Sequence, residues 1–335
     1  MVGGLCSSAR PAQELQPWRW AERNIVVPLS AAGQRWDSAD CVFLRELMEA
    51  FSDEGVNEIA CMCSAQSAKT LTMLCLVAWS IAEDPGPLLW VTSSIQEARK
   101  FAKSRLVPLL ERCGPVAAKF PRDRHQKTTL EIYFPGAPFI ITGAESQASL
   151  QSTPFRYVFL DEVRSYPKGA VDMVSKRTRT YPHNYKRVFI STPDMEGDAV
   201  HRAYLSGDQR RFYSFCPECK HGQIVDWGDD TSPGGIKWTT DDKTKPDGHY
   251  NFDALKETVR WVCENCHKEF RDVVSVRKHL SSNGEWRKGN PNAPSNTRSF
   301  QWNALLPWWT SWLSQVTEFL SAKAALKWND PEPLK

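Results

Sequence analysis

The residues best suited to chemistry begin at 64–70, Ser-Ala-Gln-Ser-Ala-Lys-Thr, between a short apolar run (59–63) and an apolar helical pattern (71–81). A strand, a tight loop ending in Lys-Thr and a helix form an anion cradle. The loop N–H groups face a phosphate, and the helix N-terminus adds about half a positive charge. In such a cradle Ser64, Ala65, Gln66, Ser67 and Ala68 wrap the phosphates of ATP. Lys69 reaches the β- and γ-phosphates, and the Thr70 hydroxyl holds Mg²⁺. The usual pattern is G-x-x-x-x-G-K-[ST]; this chain has Cys63 and Ala68 at the two glycine positions. Taken alone the match is weak, and a buried strand leading into a helix with an exposed lysine is the stronger reading.

The support lies downstream. Tyr157-Val158-Phe159-Leu160 is apolar and ends in Asp161-Glu162. Side chains alternate at a strand end, so Asp161 can hold a magnesium ion while Glu162 polarises the attacking water as general base. A solvated strand end is the bland alternative for a lone Asp-Glu pair. The lysine-bearing loop about 90 residues upstream favours the functional reading. A third strand, 186–190, ends in Ser191-Thr192-Pro193. Either hydroxyl would sense the γ-phosphate and pass its loss to DNA-contacting loops. The order loop, Asp-Glu, Ser-Thr-Pro is that of translocases with a glutamate beside the metal-binding aspartate. Phe43 and Trp36, just upstream of the loop, are candidates to stack on adenine, with a core role as the alternative for each.

A separate group is sulfur. Cys216-Pro-Glu-Cys219 and Cys263-Glu-Asn-Cys266 are two knuckles 43 residues apart. Four thiolates suit a tetrahedral structural Zn²⁺, each knuckle supplying two corners and leaving no open position for catalysis. A redox pair or free thiols are the alternatives. His221 and His267 are expected bystanders. The other six cysteines (6, 41, 61, 63, 75 and 113) are scattered, mostly in apolar context.

The elements that must position these groups read as alternating strands and helices. Strands are expected at 88–92, 128–134, 138–142, 157–160 and 186–190. Helices are expected at 39–51, with Asp40 as N-cap, at 96–112, and briefly at 145–150. Repeated β-α-β order implies an α/β fold of the P-loop NTPase (ASCE/RecA-like) type, a mostly parallel sheet with helices on both faces. Ligands bind such sheets at strand carboxyl ends, where all three loops fall. The expected division is a lead-in (1–55), an ATPase core (56–210), a small zinc-ribbon-like module (211–290) and a Trp-rich C-terminal segment or linker (291–335).

Composition narrows the class. Of 335 residues, 42 are basic and 39 acidic, a net charge of +3, too small by itself to indicate nucleic acid. Charge is more concentrated over 97–127, with 9 basic residues against 3 acidic. Arg99, Lys100, Lys103 and Arg105 share two helical turns there. They suit DNA phosphates, an arginine finger toward a neighbouring subunit (Arg105 being the choice), or simply a solvated face. No apolar run reaches the ~18 residues of a membrane span, and no secretory h-region precedes the first tryptophans, so a cytoplasmic protein with reduced thiols and no membrane partner is expected.

Together these residues resemble the lambda-like GpA family of large terminase subunits of tailed phages. Residues 64–70 look like that family's deviant Walker A loop, Ala68 standing at its glycine. Residues 156–163, Arg-Tyr-Val-Phe-Leu-Asp-Glu-Val, look like its Walker B strand, and Ser191-Thr192-Pro193 like its coupling motif. The run 206–213, Ser-Gly-Asp-Gln-Arg-Arg-Phe-Tyr, followed by Cys216-Pro217-Glu218-Cys219, is especially close. Arg164 stands where the family often has Asp. The resemblance spans about 17–330. It implies an ATP-driven motor that moves double-stranded DNA into a procapsid in the host cytoplasm. The implied partners are a homo-oligomeric ring, the portal and a small terminase subunit. The family also carries a metal-dependent nuclease domain after the ATPase. No acidic cluster for two-metal cleavage follows here, so that activity is expected from a nuclease domain or separate polypeptide rather than from this chain alone. Two rivals remain at this level: another DNA-dependent ATPase or helicase, and a zinc-stabilised DNA-binding scaffold with a dead nucleotide site.

Overall fold

The computed structural model describes residues 15–27, 34–146, 153–246 and 250–326. The run that precedes the lysine loop forms strand β1 (Glu58–Cys63), with every residue after Glu58 buried. Strands of this kind belong inside a sheet covered on both faces. β2 (Leu88–Thr92), β5 (Tyr157–Asp161) and β6 (Lys186–Ser191) are of the same kind. β3 (Glu131–Phe134) and β4 (Ala137–Gly143) form the expected hairpin, β3 beginning three residues later than its apolar pattern suggests. The turn between them uses Gly136 at φ 71°, a conformation that favours glycine.

The sheet continues further along the chain. β7 (Arg210–Phe215), β8 (Gly222–Gln223), β12 (Gly284–Arg287) and β13 (Thr297–Trp302) all join it. The order across the sheet is β12-β7-β13-β1-β6-β5-β2-β4-β3, with β8 paired to β7. From β7 to β4 every neighbouring pair is parallel. β12, β8 and β3 are antiparallel additions. Two expected boundaries are therefore corrected. The sheet does not end near residue 210, and 291–302 is no linker: β13 lies beside β1, register-paired from Glu58↔Thr297 to Cys63↔Trp302. Three more short strands form a separate sheet: β9 (Gly235–Lys237) and β10 (Arg260–Val262) lie between the cysteine knuckles, and β11 (Glu269–Arg271) follows the second.

Helices cover the sheet. α1 (Pro17–Asn24) starts with Pro at its first turn, where a missing N–H costs nothing. α2 (Arg45–Ser52) continues a short 3₁₀ turn (Val42–Leu44) and buries Leu47, Met48 and Phe51. Asp40 does not cap it; its carboxylate pairs with Lys278. α3 (Lys69–Glu83) is apolar nearly all round and buried without a break from Thr72 to Ile81, as a helix packed on several sides must be. Trp20 Nε1 donates to Glu83 at 2.6 Å and fixes α1 on α3.

The expected helix at 96–112 is interrupted. α4 (Ile95–Phe101) is capped by Ser94, whose hydroxyl accepts from Glu97 N at 3.2 Å. A π turn (Ala102–Leu106) then leads into α5 (Val107–Arg112). Pro108 lacks an N–H, and widening the preceding turn accommodates that loss. α6 (Ala199–Ser206) follows β6, α7 (Val274–Ser282) follows the cysteine module, and α8 (Trp312–Leu326) ends the described chain. The expected short helix at 145–150 falls mainly outside the described residues. No helix among the described residues is long and apolar enough to cross a membrane.

Candidate functional site

β1 and β5 are separated by β6, and their carboxyl ends bring the three predicted loops together. Lys69, only 7% exposed, points across all of them. Its Nζ donates to Glu162 Oε1 at 2.5 Å and to Thr192 Oγ1 at 3.0 Å. The loop is shaped by left-handed backbone at Gln66 (φ 55°) and Ala68 (φ 65°). Position 68 thus adopts the conformation for which a glycine is normally used, at a cost for alanine of about 1 kcal/mol. Ser67 is fully buried and braces the turn, its hydroxyl donating to Ser64 O at 2.7 Å. Glycine at position 68 relieves the backbone strain, while its greater freedom in the unfolded chain offsets much of the gain. Ala68→Gly is therefore expected to leave the melting temperature nearly unchanged and ATP turnover equal or higher in a steady-state assay; a clear loss of turnover contradicts this account of the loop.

Asp161 is 8% exposed, and its Oδ1 has no hydrogen-bond partner among the described residues. Burial, and then the neighbouring Glu162 carboxylate, push the Asp161 carboxyl up to about 7, while Lys69 and Arg105 act in the opposite direction. A buried carboxylate with a free oxygen beside the Thr70 hydroxyl is a fitting donor set for a hard divalent cation. Glu162 sits in left-handed backbone (φ 54°, ψ 48°), which turns its side chain toward Lys69. Arg164 Nε lies 3.6 Å from its other oxygen.

A cavity of about 230 Å³ opens over these groups, lined by Thr70, Asp161, Glu162, Glu97, Lys100 and Arg105. Arg105, in the π turn, therefore faces its own chain's carboxylates. Arg99 and Lys103 are exposed and absent from that lining. A second, larger cavity of about 950 Å³ runs along residues 65–71 toward Trp36, Trp308 and Trp309.

Two expectations are corrected. Phe43 is fully buried, its ring 5.9 Å from Trp302 and 6.1 Å from Phe212. It is a core residue, contributing about 1.5–3 kcal/mol through burial, and no base can reach it. Ser191 is also fully buried; its hydroxyl accepts from Arg164 N at 3.3 Å and holds the turn after Glu162. Of the two candidate sensors only Thr192 meets Lys69. Sequence reasoning missed Arg164 and Trp309. Trp309 Nε1 donates to Gln66 O at 3.0 Å across 243 positions of chain, and no local pattern signals such a contact.

The four knuckle cysteines converge, their sulfurs all within 4.8 Å of one another. Cys216 and Cys266 are 3.9 Å apart, Cys219 and Cys263 3.6 Å. Tetrahedral zinc with Zn–S of about 2.3 Å requires sulfurs roughly 3.8 Å apart, so the set fits that ion. The two knuckles fold alike. Lys220 and His267, each just after a second cysteine, have φ of 60° and 56° and bond back to the first cysteine's carbonyl. A backbone N–H from His221 pulls the exposed Cys219 thiol down to about 6, whereas burial pushes the Cys216 and Cys263 thiols up, so the fit to a metal rests on the sulfur geometry. His221 itself is engaged by Glu264 at 2.8 Å. Cys61, Cys63, Cys75 and Cys113 are buried, and burial raises all four thiols, which makes them inert packing groups.

The structure is thus a mixed α/β protein with a largely parallel sheet and a lysine-bearing loop facing a carboxylate pair at its strand ends. The chain belongs to the phage terminase large subunit gpA ATPase-domain family, whose model matches residues 30–286. It is 22% identical to the terminase large subunit of Escherichia phage lambda, over 96% of this chain and 52% of that protein. It is 24% identical to the terminase large subunit of Enterobacteria phage P21, over 99% and 52%. The chain therefore spans about half the length of the curated relatives it matches. Among solved structures, the HK97 bacteriophage large terminase aligns with 57% of this chain and 40% of its own, at 13% identity and a TM-score of 0.47.

Proposed function

We propose that this chain is the ATPase motor of a DNA-packaging terminase, hydrolysing ATP to drive double-stranded DNA into a procapsid. The observation that carries this reading is the contact of Lys69 with both Glu162 and Thr192, which joins three separate strand ends in one constellation. β6 between β1 and β5 is the strand order of ASCE-type NTPases, and family membership supports the same assignment.

In this reading the 64–70 loop and Lys69 bind the triphosphate, and Thr70 and Asp161 hold Mg²⁺. Bound Mg²⁺ neutralises charge on the phosphate oxygens. Glu162 takes the proton of the attacking water. Glu162 is paired with Lys69. Phosphates that claim Lys69 release the glutamate to act as base and leave Thr192 to register what Lys69 contacts. Arg105 stabilises transition-state charge within its own subunit, since it lines the same cavity as Asp161 and Glu162. Four thiolates hold a structural zinc.

DNA, a homo-oligomeric ring, the portal, a small subunit and a nuclease domain or polypeptide are the partners this function requires. Its place is the host cytoplasm during phage assembly. The test is DNA-stimulated phosphate release from this chain and from Lys69→Ala. The expected result is turnover that DNA accelerates and that the substitution lowers at least about 100-fold, as loss of a charge-stabilising group at the transition state does. The scaffold alternative predicts the reverse: zinc and DNA retained, with no binding in a fluorescent-ATP titration.

A further inference from the structure

Trp309 is 39% exposed, yet its indole N–H is committed to one acceptor, the carbonyl of Gln66. Gln66 lies inside the lysine loop and is itself left-handed. In a planar trans peptide the carbonyl of one residue and the N–H of the next point in opposite directions. Fixing the Gln66 carbonyl therefore fixes the direction of the Ser67 N–H. A loop that cradles an anion works through its N–H groups, so the orientation of this peptide sets how many donors it offers.

The segment that presents Trp309 is clamped from behind by α7. Arg277, 8% exposed, pairs with Asp272 and donates from Nε to Trp308 O at 2.9 Å. The other oxygen of Asp272 accepts from Leu313 N at 2.9 Å. Ser281 holds the Leu306 carbonyl, and the Lys278 ammonium lies 4.4 Å over the Trp308 ring. α7 directly follows β11 of the cysteine module, so a continuous set of contacts joins that module to the lysine loop.

We propose that Trp309 is a positioning residue for the phosphate loop: its indole N–H holds the 66–67 peptide in the orientation that binds anions, and α7 sets the indole. This rests on the loop being the nucleotide cradle. The test therefore measures the loop and the nucleotide separately, on the full chain and on Trp309→Phe, which keeps a ring and loses the N–H. In nucleotide-free protein, hydrogen exchange of the amides at 66–69 is expected to rise several-fold in the variant, with the global melting temperature unmoved. ADP affinity is expected to fall about five-fold, the worth of one hydrogen bond, and the loss in kcat/KM to appear in KM. Faster loop exchange in a chain that binds no ADP in either form supports the positioning role and sinks the nucleotide reading. Unchanged loop exchange, or unchanged ADP affinity in a chain that binds ADP, overturns the proposal.

Discussion

Glu162→Gln is expected to abolish ATP turnover, by about 100- to 10,000-fold, while nucleotide binding survives or tightens. The amide matches the carboxylate in shape and cannot accept the proton of the attacking water. It also removes the charge that holds Lys69, whose Nζ is 2.5 Å from Glu162 Oε1. Lys69 then retains only Thr192 among the partners described above, and phosphates compete with less for it. Single-turnover hydrolysis paired with a fluorescent-ATP titration checks both halves. Undiminished hydrolysis removes Glu162 from the role of base. Lost binding together with lost hydrolysis would mean that the Lys69–Glu162 pair shapes the loop itself.

Loss of a metal from the four-cysteine cluster is expected to destabilise the chain strongly. Cys263→Ser, or stripping with a strong chelator, is expected to release a single zinc per chain and unfold the segment between the knuckles. The three-residue strands β9, β10 and β11 bury few side chains beyond Ile236, Trp261 and Val262. Such a small core needs a cross-link, and a metal held by the four thiolates would supply it. The damage should not stay local. Cys216 follows β7 without a spacer, and β7 is a strand of the main sheet. Metal analysis, a thermal melt and limited proteolysis of 226–262, run side by side, check this. Full protease resistance and an unmoved melt after complete zinc removal would make the quartet a set of free thiols.

The elements legible in advance share one property. β1, β2, β5 and β6 are short apolar runs that end abruptly in polar chemistry, and burial on both faces imposes that pattern on sequence directly. The Lys69, Asp161-Glu162 and Thr192 cluster was legible for the same reason, since each group marks a strand end. β7, β12 and β13 were not. Arg210–Phe215, Gly284–Arg287 and Thr297–Trp302 mix charged, polar and aromatic residues. Their identity as sheet strands depends on partners far away in the chain: β13 pairs with β1 across more than two hundred residues. Phe43 failed for another reason. An aromatic that stacks on a base and one that fills a core look the same in sequence, and only the surrounding Phe212 and Trp302 decide between them. Trp309 is invisible in the same way, because its acceptor is a backbone carbonyl.

The neighbour relation of β13 and β1 also has a mechanical side. The two strands run parallel over six register pairs, and the chain leaves β13 at the same end as the lysine loop leaves β1. A load applied to residues 303–326 along the strand axis is therefore resisted by all the β1–β13 hydrogen bonds together, in shear, rather than broken one bond at a time as at a peeling edge. Because β1 carries the lysine-bearing loop at its tip, tension borne by the C-terminal segment and the seating of that loop are settled along a single line of backbone.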